Sequence, residues 1–199
     1  MKINERFIDS LKECSERKST VYFSGANKDI VFQTHILSVG SEQIALKNKV
    51  PPAYIREVIS SKEFYVQFEM ARFIANSVET DGENIIFPLK DLVQVDETRE
   101  TERFPFDQEE SVICELLNPF DKTTILSKSV MDMSSAGLSL RTNFPSKLFK
   151  AGTFFDSMRV TIDGELYKAA SGRVVYSRKM LDLKGKLKVQ VGFQIENFK

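Results

Sequence analysis

Tryptophan is absent from this chain of 199 residues, histidine occurs once and cysteine twice. Each scarcity removes a class of function. Cys14 and Cys114 lie far apart in unlike contexts, so they frame neither a disulfide scaffold nor a Cys-x-x-Cys metal or redox pair. His35 stands on a strand-like run with Val31 and Gln33 and has no catalytic partner at a working spacing. No glycine-rich phosphate loop and no set of metal-ligand spacings occurs. The sequence therefore predicts a protein that is not an enzyme, with no catalytic residue and no metal site. No run of eighteen apolar residues is present, which argues against membrane insertion by a helix. Met1-Lys2-Ile3-Asn4-Glu5-Arg6 lacks the apolar stretch of a signal peptide, and the expected location is a reducing cytoplasm. Twenty-eight basic residues balance twenty-eight acidic ones, so no whole-protein field attracts polymeric nucleic acid. A small anionic ligand stays open, because a local cluster of arginines suffices for it.

What is present is mostly β patterning. Residues 3–16 carry Ile3, Phe7, Ile8, Leu11 and Cys14 at helical spacing, which predicts a short amphipathic helix. Alternation then takes over. Residues 20–23 and 30–37 read as strands about a Gly25-Ala26-Asn27 turn, and Pro51-Pro52 opens a helical turn through residue 59. Phe64, Val66, Phe68 and Met70 share one face of the next strand, and Asp81-Gly82 turns the chain into a strand at 84–88. Residues 96–107 are dense in charge and lack apolar periodicity before Phe104, so they read as an interdomain linker. Strands at 112–117, 123–133, 137–142, 156–162, 165–170, 172–177 and 188–196 follow, with Asp163-Gly164 as a strong hairpin signal. In the last of these Val189, Val191, Phe193 and Ile195 point inward. The expected class is mainly β in two domains. Residues 1–95 form an antiparallel β domain with a short helix, and 108–199 form a six-stranded antiparallel barrel.

Two features carry candidate chemistry. Arg99 and Arg103 lie four apart in the linker, where both an extended and a helical segment can turn them to one side. A guanidinium binds phosphate oxygens bidentately and pairs with the O6 and N7 edge of guanine. The same spacing also suits an ordinary solvated linker. The second feature is Asp132-Met133-Ser134-Ser135-Ala136-Gly137. Asp132 can accept hydrogen bonds from the N1–H and N2–H edge of guanine, Ser134 can donate or accept, and Gly137 lets a flat base approach. An Asp/Ser/Gly turn is equally a structural motif. Ser139 and Arg141 follow at alternate positions, on the same expected face.

In order and spacing, the arginine pair, the following strand and the Asp-x-Ser-x-x-Gly run resemble the PilZ domain. Ala170-Ser171-Gly172-Arg173-Val174-Val175-Tyr176 and Val189-Gln190-Val191-Gly192-Phe193 look like its later strands. Residues 1–95 resemble, more weakly, the N-terminal domain of flagellar-brake proteins. The resemblance implies a receptor for cyclic di-GMP, with Arg99 and Arg103 on phosphates and guanine edges and Asp132, Ser134 and Gly137 on a guanine. Ser139 and Arg141 extend that list by geometry. It also implies a protein partner of unspecified identity, a change in interdomain arrangement on binding, and outputs in motility, envelope or biofilm control. Thr98 stands where many members have a further arginine, and Glu100 and Glu102 add negative charge. These departures motivate the alternative of a PilZ-fold interaction module that has lost nucleotide binding.

Overall fold

The computed structural model describes residues 5–26, 30–68, 71–95, 103–106, 111–143 and 146–198. They gather into two compact units. The first draws on Met1–Thr98 and Met180–Leu187, the second on Arg99–Lys179 and Lys188–Lys199.

The first unit opens with helix α1 (Glu5–Glu16), whose Leu11 and Cys14 are buried. Its strands are β1 (Thr20–Gly25), β2 (Ile30–Val39), β3 (Gln43–Lys47), β4 (Phe64–Phe68), β5 (Ala71–Ala75), β6 (Glu79–Thr80), β7 (Asn84–Pro88) and β8 (Leu92–Gln94). Helix α2 (Pro52–Ser60) begins at a proline, where the missing N–H costs the helix nothing. The pairings run β8-β5-β4-β1-β2-β3-β7-β6, all antiparallel. A register shift between Ile36 and Ser38 bends β2, so that its first half serves one side of the unit and its second half the other. In the absence of tryptophan, phenylalanines fill the interior. Phe23 stacks on Phe32 at 5.1 Å, Phe87 meets Phe23 and Phe64 edge-on, and Phe7 of α1 lies 4.6 Å from Phe73. Leu181 is buried in this same core. The turn that follows it is held by the buried Asp182 carboxylate, which accepts from the backbone of Lys184 and Lys186.

The second unit contains β9 (Phe104–Pro105), β10 (Val112–Leu117), β11 (Ile125–Met133), β12 (Gly137–Thr142), β13 (Phe154–Ile162), β14 (Glu165–Leu181) and β15 (Leu187–Phe198). Six of them close on themselves in the order β13-β10-β11-β12-β15-β14, and β14 pairs back with β13. This is the expected six-stranded antiparallel barrel, and closure leaves it no long free edge. Val112, Cys114, Leu116, Leu138, Leu140, Val189, Val191 and Phe193 face the interior with the period of two that their sequences show. Phe149, on a short 3₁₀ turn, completes an aromatic triad with Phe155 and Phe193 at 5.5–6.4 Å. Burial, reinforced by the neighbouring Glu115, pushes the Cys114 thiol up to about 12, so it behaves as a small apolar side chain.

The turns follow their sequence signals. Asp163 and Gly164 both have positive φ (51° and 87°), as a two-residue hairpin of this hand requires. In the β10–β11 connection the exposed Asp121 carboxylate accepts the backbone N–H groups of Thr124 and Thr123, which holds it down to about 2. Three strands, β14, β3 and β5, differ from the sequence reading. Residues 165–170 and 172–177 belong to one 17-residue strand, because Gly172 lies inside the ladder opposite Phe155 instead of breaking it. β3 and β5 are five-residue strands that bury only two side chains each, and the sequence reading does not mark them.

Candidate ligand-binding site

The Asp132–Arg141 segment lies in the second unit and is shaped by the barrel walls. β12 alternates Leu138 and Leu140 inward with Ser139 and Arg141 outward. Register then brings outward residues of three strands into rows. Asp132 on β11, Ser139 on β12 and Gly192 on β15 form one row, and Ser129, Arg141 and Gln190 form the next. A register shift between Val130 and Asp132 sets the carboxylate opposite Ser139.

Short β9 brings the linker to this face. Phe104 and Pro105 pair with Met133 and Asp132, and the Phe106 N–H donates to the Met131 carbonyl at 2.9 Å. Arg103, immediately before that stitch, therefore reaches the outer row. Its Nη1 donates to Asp132 Oδ1 at 2.5 Å, and the two side chains are only 19% and 22% exposed. The other oxygen, Asp132 Oδ2, accepts from Ser139 Oγ at 2.5 Å. A carboxylate offers about four lone-pair directions. Two of them are used here, which leaves acceptor capacity for a guanine edge.

Gly137 is glycine for a geometric reason. A Cβ there would come 2.4 Å from the Phe193 carbonyl oxygen and 3.4 Å from Arg103 Nη2. The guanidinium of Arg103 thus passes beside the glycine backbone. Ser134 is buried, and its hydroxyl serves the turn. It accepts from the Ala136 N–H and donates to the Gly137 carbonyl, both at 3.3 Å, while the Ser134 N–H donates to the same carbonyl at 2.7 Å. Arg141 has its Nε buried with no hydrogen-bond partner among the described residues. An unpaired buried donor costs about 1–3 kcal/mol, and functional sites are where such groups are tolerated.

The structure thus brings together Arg103, Asp132, Gly137 and Ser139, with Arg141 one row away and the Ser134 hydroxyl bonded within its own turn. Arg99 lies outside the described residues. Three further outward residues escape a sequence reading. Gln190 Nε2 donates to Ser139 Oγ at 3.1 Å, Arg178 Nε donates to Gln190 Oε1 at 2.8 Å, and the Arg178 guanidinium lies 5.3 Å from the Tyr176 ring centre. The alternation of Val189, Val191 and Phe193 marks Gln190 as outward, but only the register across β12 and β15 shows what it meets. Among the described residues, the guanidiniums of Arg103, Arg141 and Arg178 gather around the carboxylate of Asp132 on this face.

No protein-family model and no curated protein sequence matches the chain. Solved structures do. The complex of K. pneumonia MrkH with c-di-GMP superimposes with a TM-score of 0.69 at 14% identity, over 98% of this chain and 87% of that one. A second structure of MrkH, described as a c-di-GMP-dependent transcription regulatory factor, gives 0.62 at 15% identity over 98% and 84%. Escherichia coli YcgR in complex with c-di-GMP gives 0.50 at 12% identity, again over 98% and 84%. At such identities the likeness is one of fold: the chain shares the architecture of the MrkH and YcgR structures, with an N-terminal β domain and a six-stranded antiparallel barrel.

Proposed function

We propose that the chain is a receptor for cyclic di-GMP and that the outer face of β11, β12 and β15 is its binding surface. The observation that carries this reading is the placement of Arg103 on Asp132 beside Gly137. It sets a phosphate- and guanine-binding fork on a guanine-edge acceptor, beside a glycine whose Cβ would come 3.4 Å from Arg103 Nη2. The c-di-GMP complexes of MrkH and YcgR, which share the fold, support the choice of ligand. Arg99 completes the cationic pair from the linker. Ligand held by both linker and barrel orders the segment between the two domains and shifts their arrangement, which a protein partner then reads in motility, envelope or biofilm control. The ligand drives that shift only through its higher affinity for the closed arrangement.

Selectivity follows from the same geometry. Guanine presents N1–H and N2–H donors to Asp132, whereas adenine presents an acceptor at N1. Cyclic di-GMP at about 100 times its dissociation constant is expected to stabilise the protein by about 2.7 kcal/mol in thermal denaturation. Cyclic di-AMP at the same concentration is expected to leave the melting temperature unchanged. Equal shifts with both would show that Asp132 does not read the base. No shift with either would favour the interaction-module alternative.

A further inference from the structure

The hydrogen-bond chain on the outer face has a direction. Arg178 Nε–H reaches Gln190 Oε1, and Gln190 Nε2–H reaches Ser139 Oγ. That leaves the hydroxyl hydrogen of Ser139 for Asp132 Oδ2, while Asp132 Oδ1 takes Arg103. Every donor meets an acceptor, so the orientation of the Gln190 amide is fixed from both ends. Gln190 is only 4% exposed although it points away from the apolar core, whose β15 contribution is Val189, Val191 and Phe193. A buried amide costs stability unless both its ends are bonded. Here both ends are bonded to residues of the site, and one of them is a second arginine.

Arg178 is held in place by more than the amide. Its guanidinium rests over Tyr176, and Tyr176 rests against Gly192, where a Cβ would come 2.2 Å from the ring. Gly192 therefore makes room for the ring, the ring supports the guanidinium, and Gln190 fixes its Nε. The terminal nitrogens of Arg178 have no hydrogen-bond or ion-pair partner among the described residues, and the side chain is half-buried on the face that carries Asp132. A guanidinium clamped at its inner nitrogen and unengaged at its outer two is oriented to grip an anion bidentately.

We propose that Arg178 is a further ligand-binding residue, its outer nitrogens on a phosphate of the cyclic dinucleotide, and that Gln190 is the residue that positions it. This rests on the reading of the face as a cyclic di-GMP site. Titration of the full chain with cyclic di-GMP at several salt concentrations tests it, using wild type, Arg178→Ala, Gln190→Met and the double variant. Arg178→Ala is expected to weaken binding about tenfold or more and to flatten the salt dependence, with the unbound melting temperature within a few degrees of wild type. Gln190→Met is expected to give a smaller loss that disappears in the Arg178→Ala background, since it acts through that arginine. Should Arg178→Ala lower the melting temperature further, Arg178→Gln replaces it in the same comparison. Wild-type affinity and salt slope in the Arg178 variant would overturn the assignment while leaving the receptor reading intact. No binding by wild type would overturn both.

Discussion

Arg103→Ala is expected to lower the affinity for cyclic di-GMP by about 100-fold or more while the barrel stays folded. A charge-assisted hydrogen bond contributes about 1.5–3 kcal/mol, and each 1.4 kcal/mol is tenfold, so the loss of one bidentate contact reaches that range. The effect has two sources. The guanidinium itself is removed, and Asp132 loses the partner that holds Oδ1. Folding suffers little, because the Asp132 side chain is 22% exposed and keeps the Ser139 hydroxyl, so water can take the vacated position. Calorimetric titration measures the first part and thermal denaturation of the unbound variant the second. Affinity unchanged by the substitution would remove Arg103 from the site.

Gly137→Val is expected to damage stability and binding together. The new Cβ would sit 2.4 Å from the Phe193 carbonyl oxygen, which belongs to the backbone of the adjacent strand and cannot rotate away. Relief requires β12 and β15 to separate where Gly137 faces Gln194, beside the fully buried Leu138 and Phe193. Overpacking of a closed core costs about 1–3 kcal/mol. The strain falls on the Ser134–Gly137 turn as well, and Arg103 Nη2 is displaced from its place beside the glycine. Urea denaturation should show the loss of stability, and ligand titration at saturating folded protein the loss of affinity. A variant as stable as wild type would mean that the β12–β15 approach is looser than these distances indicate.

Much of the barrel is legible in the sequence because its strands announce themselves twice, by alternation and by turn residues. Val189, Val191 and Phe193 point inward as their spacing requires, and Asp163-Gly164 turns the chain where two positive φ angles are needed. β3 and β5 are hidden for the complementary reason. Gln43–Lys47 and Ala71–Ala75 each bury only two side chains, too few for a period to stand out. Gly172 misleads in the opposite direction, since a glycine inside a strand looks like a break although here it admits the close approach of the Gln194 backbone. The assignment of Met180–Leu187 to the first unit depends on contacts distant in sequence, and local pattern carries no trace of them.

The candidate site divides along the same line. Arg103, Asp132, Gly137 and Ser139 are legible from order and spacing, and they meet because β9 and the β11–β12 register put them side by side. The bonds of Ser134 within its own turn, to the Ala136 N–H and the Gly137 carbonyl, are not legible, because they depend on the backbone geometry between β11 and β12. Gln190, Arg178 and Tyr176 are invisible without register. A slip of one residue would send each of them to the opposite face.

Calorimetric titration of the purified full chain with cyclic di-GMP tests the receptor reading most directly. Saturable binding in the micromolar range or tighter, abolished in Arg103→Ala, is the predicted result. The absence of binding heat, together with an unchanged melting temperature at high ligand concentration, would contradict it and leave a PilZ-fold interaction module in its place.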